Sequence, residues 1–141
     1  MEGRQAETTV AQQLFMRCLA PVEGMQQAEF GYDVDDPFSV TVTLADAGGE
    51  SWELARTVLV QGITGVAGAG HARVWPIVND AGRSLVVLHL ESPQGELVAE
   101  VLTTQLDRFL GRTTALVPLG TESERLDLDA LVEQLLTSEP G

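Results

Sequence analysis

The spacing of apolar positions changes once along this chain. Up to about residue 101 it is mostly two; after that it is three to four. Val40, Val42 and Leu44 alternate with Thr41 and Thr43, which predicts a half-buried strand. Ala28 to Tyr32 predicts another strand, and Asp33 to Pro37 a turn between the two, because aspartates bond nearby backbone N–H groups and proline presets its own φ. Ala47 to Glu50 predicts a hairpin connection into Ser51–Leu54, so these strands pair antiparallel. Residues 9–19 fit two periods. Val10, Leu14, Phe15 and Cys18 suit a helix face, whereas Leu14, Met16 and Cys18 suit a strand face.

Further along, Ala55 to Gln61 predicts a short helix, with Gly62 as a left-handed C-cap. Residues 62–70 read as a glycine-rich loop, His71 to Ile77 as a strand, Asn79 to Gly82 as a hairpin loop and Ser84 to Leu90 as the next strand. That strand is apolar on both faces, which predicts a central place in a sheet. Ser92-Pro93-Gln94-Gly95 turns into a strand over 96–101. Leu102, Leu106, Phe109 and Leu110 then fall on one helical face. A last helix carries Leu128, Leu131, Val132, Leu135 and Leu136, with Asp127 or Asp129 as N-cap. Strands followed by two helices predict an α+β fold, an antiparallel sheet covered on one face. The last helix is expected to pack its apolar stripe on the sheet and keep an acidic side in solvent.

At 141 residues the chain has the length of one domain. Residues 1–8 read as a flexible N-terminus and 9–141 as the domain. No apolar run approaches the ~20 residues that span a bilayer, and the polar N-terminus lacks a signal-peptide core, so cytoplasmic residence is expected. Cys18 is the single cysteine, and no intrachain disulfide can form. The net charge of −13 is uneven: residues 1–50 hold nine acids and two arginines, 51–120 six and five, 121–141 six and one. There is no lysine. Nucleic-acid binding draws most of its affinity from cations on phosphates, so no nucleic-acid partner is expected. The alternative is a local stripe of Arg56, Arg73, Arg83, Arg108 and Arg112 on one face.

Candidate chemistry is sparse. The loop from Gly62 to Gly70 follows a helix and opens a strand, the reverse of a phosphate loop. Asp33, Asp35 and Asp36 lack the glycine and glutamate of a calcium loop. His71, His89 and Cys18 are scattered, whereas a zinc site wants closely spaced ligands. Glu91, Glu96 and Glu100 could supply a carboxylate pair, yet nothing places them in a pocket. No Gly-x-Ser-x-Gly nucleophile turn occurs. No enzyme activity, cofactor or metal is expected. Trp52 and Trp75-Pro76 read as core or sheet-face packing, with subunit contact as the sharper alternative.

Several unusual segments recur in a fixed order: Tyr32 to Val40 with Asp36-Pro37, Trp52 to Arg56, Arg73-Val74-Trp75-Pro76, Ser92 to Gly95, Phe109-Leu110 with Arg112-Thr113, and Val117 to Glu122 followed by Asp127-Leu128-Asp129. Over roughly residues 9–136 this framework resembles the SsgA-like proteins, sporulation and cell division proteins of actinomycetes. Leu54, Phe38, Thr57 and His71 stand where the family usually has phenylalanine, tyrosine, aspartate and aspartate. The ending from Val117 most resembles the branch of the family that marks future septum sites. The resemblance favours a strand over residues 9–19. It implies a Whirly-like fold, a homotrimer, and a non-enzymatic role at septa through contacts with FtsZ and SsgA-type division proteins, any membrane contact being indirect. A single-stranded nucleic-acid binder of Whirly-like fold is the alternative. Tyr32, Asp36, Pro37, Trp52, Arg56, Trp75, Pro76 and Phe109 are the expected structural framework. Gly120, Glu122, Asp127 and Asp129 are the expected protein-interaction residues. In a trimer of acidic chains the nearly neutral middle segment is expected at the interface and residues 121–141 toward the outside, since like charges repel.

Overall fold

A computed structural model describes residues 8–45 and 49–137. Eight antiparallel strands form one sheet in the order β4-β3-β2-β1-β8-β7-β6-β5. They are β1 (Thr9–Ala20), β2 (Gly24–Asp33), β3 (Asp36–Leu44), β4 (Ser51–Ala55), β5 (Ala67–Ala69), β6 (Ala72–Val78), β7 (Ser84–Ser92) and β8 (Gly95–Leu102). Three helices complete the fold: α1 (Arg56–Gly62), α2 (Thr103–Leu116) and α3 (Glu122–Thr137). Expectations that fall on residues 1–7, 46–48 and 138–141, the N-terminal segment, part of the β3–β4 connection and the end of the 9–141 domain, lie outside the described residues.

Residues 9–19 form the long strand β1, which pairs with β2 on one side and β8 on the other. Its alternation is that of a sheet with one buried face: Val10, Leu14, Met16 and Cys18 point inward and Phe15, Arg17 and Leu19 outward. The same parity places Ala28, Phe30 and Tyr32 of β2, Val40, Val42 and Leu44 of β3, and Leu97, Ala99 and Val101 of β8 in the core. α1 and α2 cover this face with Val58, Leu59, Leu106, Phe109 and Leu110. Phe109 meets Phe30 edge to face, with ring centroids 5.6 Å apart. The sheet curls enough for Trp52 on β4 to donate its indole N–H to the Gly95 carbonyl at the start of β8, at 3.3 Å.

Three local expectations change. Residues 67–69 of the expected glycine-rich loop form β5, an edge strand. β7 lies inside the sheet as expected, paired with β6 and β8. β7 is apolar on both faces because Leu85 and Val87 are buried on the face opposite Val86, Leu88 and Leu90, beside Ile77 and Trp75 of β6. Gly62 is the last residue of α1, and its φ is not left-handed. Glycine is required there for close approach instead: a Cβ on Gly62 would lie 2.6 Å from Val74 Cβ and 3.2 Å from the Val74 backbone. The last helix starts at Glu122, not at Asp127 or Asp129, which lie inside it.

Candidate functional site

The link between the sheet and α3 is an ion pair sealed in the protein. Arg56, the first residue of α1, is fully buried. Its Nη2 donates to Glu122 Oε2 at 2.7 Å, and its Nη1 to the Val117 carbonyl at 2.8 Å and Thr113 Oγ1 at 3.3 Å. The guanidinium carbon lies 4.9 Å from the centre of the Tyr32 ring, within range of a cation–π attraction. Tyr32 is held in turn by its hydroxyl, which donates to the Pro37 carbonyl at 2.9 Å. One arginine thus ties together the end of β2, the start of α1, the end of α2 and the first turn of α3. Arg56 Nε finds no acceptor among the described residues.

Glu122 is equally committed. Its Oε1 accepts the Gly120 N–H at 2.9 Å, and its negative charge at a helix start suits the helix dipole. The hydrogen bond from Arg56 holds its carboxyl below the usual range, against the opposing effect of burial. Burial pushes the Tyr32 phenol up, and the Arg56 charge pulls it back. Gly120 has φ +88° with open space where a Cβ would stand, so the turn selects glycine for its backbone conformation.

Beyond this anchor α3 is bare. Leu126, Leu128, Leu131, Val132, Leu135 and Leu136 are 38–72% exposed. The expected inward packing of this stripe does not occur, because the pair with Arg56 fixes only the first turn of the helix. Glu124, Asp127, Asp129 and Glu133 are exposed on the same helix. The expected interaction residues therefore divide. Asp127 and Asp129 stand on the open helix, Gly120 shapes the turn leading to it, and Glu122 is an internal anchor whose charge is spent on Arg56. An arginine stripe drawn from the five candidate residues loses Arg56 to the core, and Arg112 donates to Gln12 Oε1 at 3.0 Å.

Of the framework residues, Tyr32, Pro37, Trp52, Arg56 and Phe109 are buried, Trp75 is half-buried on the outer side of β6, Pro76 is half-buried on its inner side opposite Val86, and Asp36 is exposed at the start of β3. The outer face also exposes Phe15, Leu19 and Met25. A cavity of about 240 Å³ there is lined by Phe15, Met25, Leu85, Leu102, Arg17 and Arg83, among others. Among the described residues no helix is long and apolar enough to cross a membrane.

Residues 27–122 match the family model described as Streptomyces sporulation and cell division protein, SsgA. The chain belongs to the SsgA family. It is 42% identical over 135 residues to the sporulation-specific cell division protein SsgB of Salinispora tropica, covering 92% of this chain and 94% of that one. It is 36% identical over 133 residues to SsgB of Streptomyces coelicolor, covering 92% and 96%. Two solved structures share the fold. One, from work on SsgB mutations and longitudinal cell division during sporulation of Streptomyces coelicolor, is 34% identical with TM-score 0.74 and covers 87% of this chain and 99% of its own. The other is an SsgA-like sporulation-specific cell division protein from Thermobifida fusca, 29% identical with TM-score 0.79, covering 94% and 98%.

Proposed function

We propose that this protein is a non-enzymatic, sporulation-specific cell division protein of the SsgB type. It works at septa as a scaffold, helping to position them and recruiting FtsZ, alongside SsgA-type proteins. The observation that carries the reading is α3. In a chain 42% identical to an SsgB, this helix presents six large apolar side chains to solvent together with acidic residues. Exposed apolar area of this extent marks an interaction surface, and the buried Arg56–Glu122 pair holds its first turn rigidly.

The Whirly-like label and a homotrimer belong to the same proposal. Phe15, Leu19 and Met25 on the outer sheet face supply apolar area for contact between copies, which leaves α3 outward for FtsZ. The test is co-sedimentation with FtsZ polymers formed with GTP, with and without SsgA. Salt-sensitive enrichment in the pellet supports direct recruitment through the acidic helix, since salt screens exposed charges. No enrichment in either condition defeats it.

A further inference from the structure

A second cluster lies away from α3, where three adjacent strands meet, and the proposed function does not use it. The two-residue loop Pro93-Gln94 joins β7 to β8 and puts Glu91 directly opposite Glu96. On the other side, the Glu91 N–H donates to the His71 carbonyl at 3.0 Å, so His71 flanks Glu91 at the entry to β6. His89 precedes Glu91 by two residues and shares its face of β7. Two imidazoles and two carboxylates, from three chain segments, are thereby gathered on one side of the sheet.

The distances are those of a donor set. His89 Nε2 lies 3.0 Å from Glu96 Oε2 and 3.7 Å from Glu91 Oε2. His71 Nδ1 lies 3.9 Å from Glu91 Oε1. One donor atom from each of His89, Glu91 and Glu96 lies within 4.8 Å of the other two. Ligand atoms bound tetrahedrally at ~2.0–2.2 Å from a zinc ion are roughly 3.3–3.6 Å apart, so rotations of exposed side chains close the set.

Electrostatics asks for a cation. Like charges directly opposite each other on paired strands destabilise the pair, and Glu91 and Glu96 are such a pair. The single nitrogen His89 Nε2 is what reaches both carboxylates, whereas a divalent ion would neutralise both. The mixed nitrogen and oxygen donors select a zinc-type ion over calcium or magnesium, which prefer all-oxygen sites. Arg73 is the charged group facing from β6, in register with His89, and it lines the same cavity as His71, His89 and Glu91. The side chains of Glu91 and Glu96 are about half exposed, which leaves a route for the ion and for water ligands.

We propose that His89, Glu91 and Glu96, with His71 as fourth ligand, form a surface site for one zinc-type divalent ion that pins the β7–β8 hairpin to the start of β6. The test is isothermal titration calorimetry of the untagged, chelator-treated protein with Zn²⁺ alone, and Co²⁺ absorption as a readout of nitrogen ligation. The expected result is one equivalent bound, no binding of Mg²⁺ at the same concentration, and a loss of more than about tenfold in affinity in both His89→Ala and Glu96→Gln. His71→Ala should weaken binding less, and Asp80→Asn, in the opposite hairpin, should leave it unchanged. Absence of Zn²⁺ binding would overturn the proposal. Binding that survives in the double variant His89→Ala/Glu96→Gln would be adsorption to an acidic surface and would overturn it equally.

Discussion

Arg56 Nη2 and Glu122 Oε2 are 2.7 Å apart, and both side chains are closed to solvent, 66 positions apart in the chain. Removing one partner of such a pair strands the other charge in a low-dielectric interior, which costs about 3 kcal/mol or more. Glu122→Ala is therefore expected to destabilise the domain by about that amount, measured by urea denaturation. The double variant Arg56→Met/Glu122→Leu should recover much of the loss, because well-packed apolar replacements of buried ion pairs are often nearly neutral.

The same pair sets an acid response. The Glu122 carboxyl titrates lower in the folded chain than its ordinary value of 4.5. In this window the unfolded chain binds the proton more readily, so Glu122 adds stability above pH about 4.5 and loses it as pH falls through its depressed folded value. Between these limits the stability of the native sequence should fall more steeply with acid than that of Glu122→Gln. Thermal melts across the range check this, and parallel slopes would remove Glu122 as the cause.

Gly62 is predicted to tolerate no side chain. A methyl group there must push into Val74, including its backbone, and overpacking of a filled core costs about 1–3 kcal/mol. Gly62→Ala should fall at the upper end, because a strand cannot move aside as a flexible side chain can. A change in urea midpoint close to zero would contradict the contact.

Gly120→Tyr should behave differently. Its Cβ meets open space, so the penalty is the left-handed backbone, about 1–2 kcal/mol. The strain falls on the turn that leads into α3 and donates to Glu122. Hydrogen exchange should speed up in the first turn of α3 while β1 and β8 stay protected.

What could be read beforehand follows from the range of each interaction. The alternation in β3 and the apolar face of α2 are local patterns, and each gave its element; residues 9–19 fit two periods, and only the family resemblance favoured the strand that β1 forms. The β7–β8 hairpin was legible from Ser92-Pro93-Gln94-Gly95. Continued one step, that reading would have placed Glu91 opposite Glu96 and His89 on the same face, which the spread of the histidines along the chain concealed. Arg56 was marked as framework only by its place in the family pattern, since no local signal ties it to Glu122. The stripe on α3 has the period of a packed helix, and period alone cannot say whether a chain covers its own stripe. The Gly62 signal was right in residue and wrong in cause: the glycine lies at the helix end, but it answers to Val74 across the fold.

The central claim is that α3 is the docking surface. The most direct measurement compares the native chain with Leu131→Ser/Leu135→Ser in co-sedimentation with FtsZ polymers. Both residues are more than half exposed, so the variant should melt within a few degrees of the native protein. The account predicts that the native chain enters the pellet and the variant stays in the supernatant. Equal pelleting of the two folded proteins would contradict it.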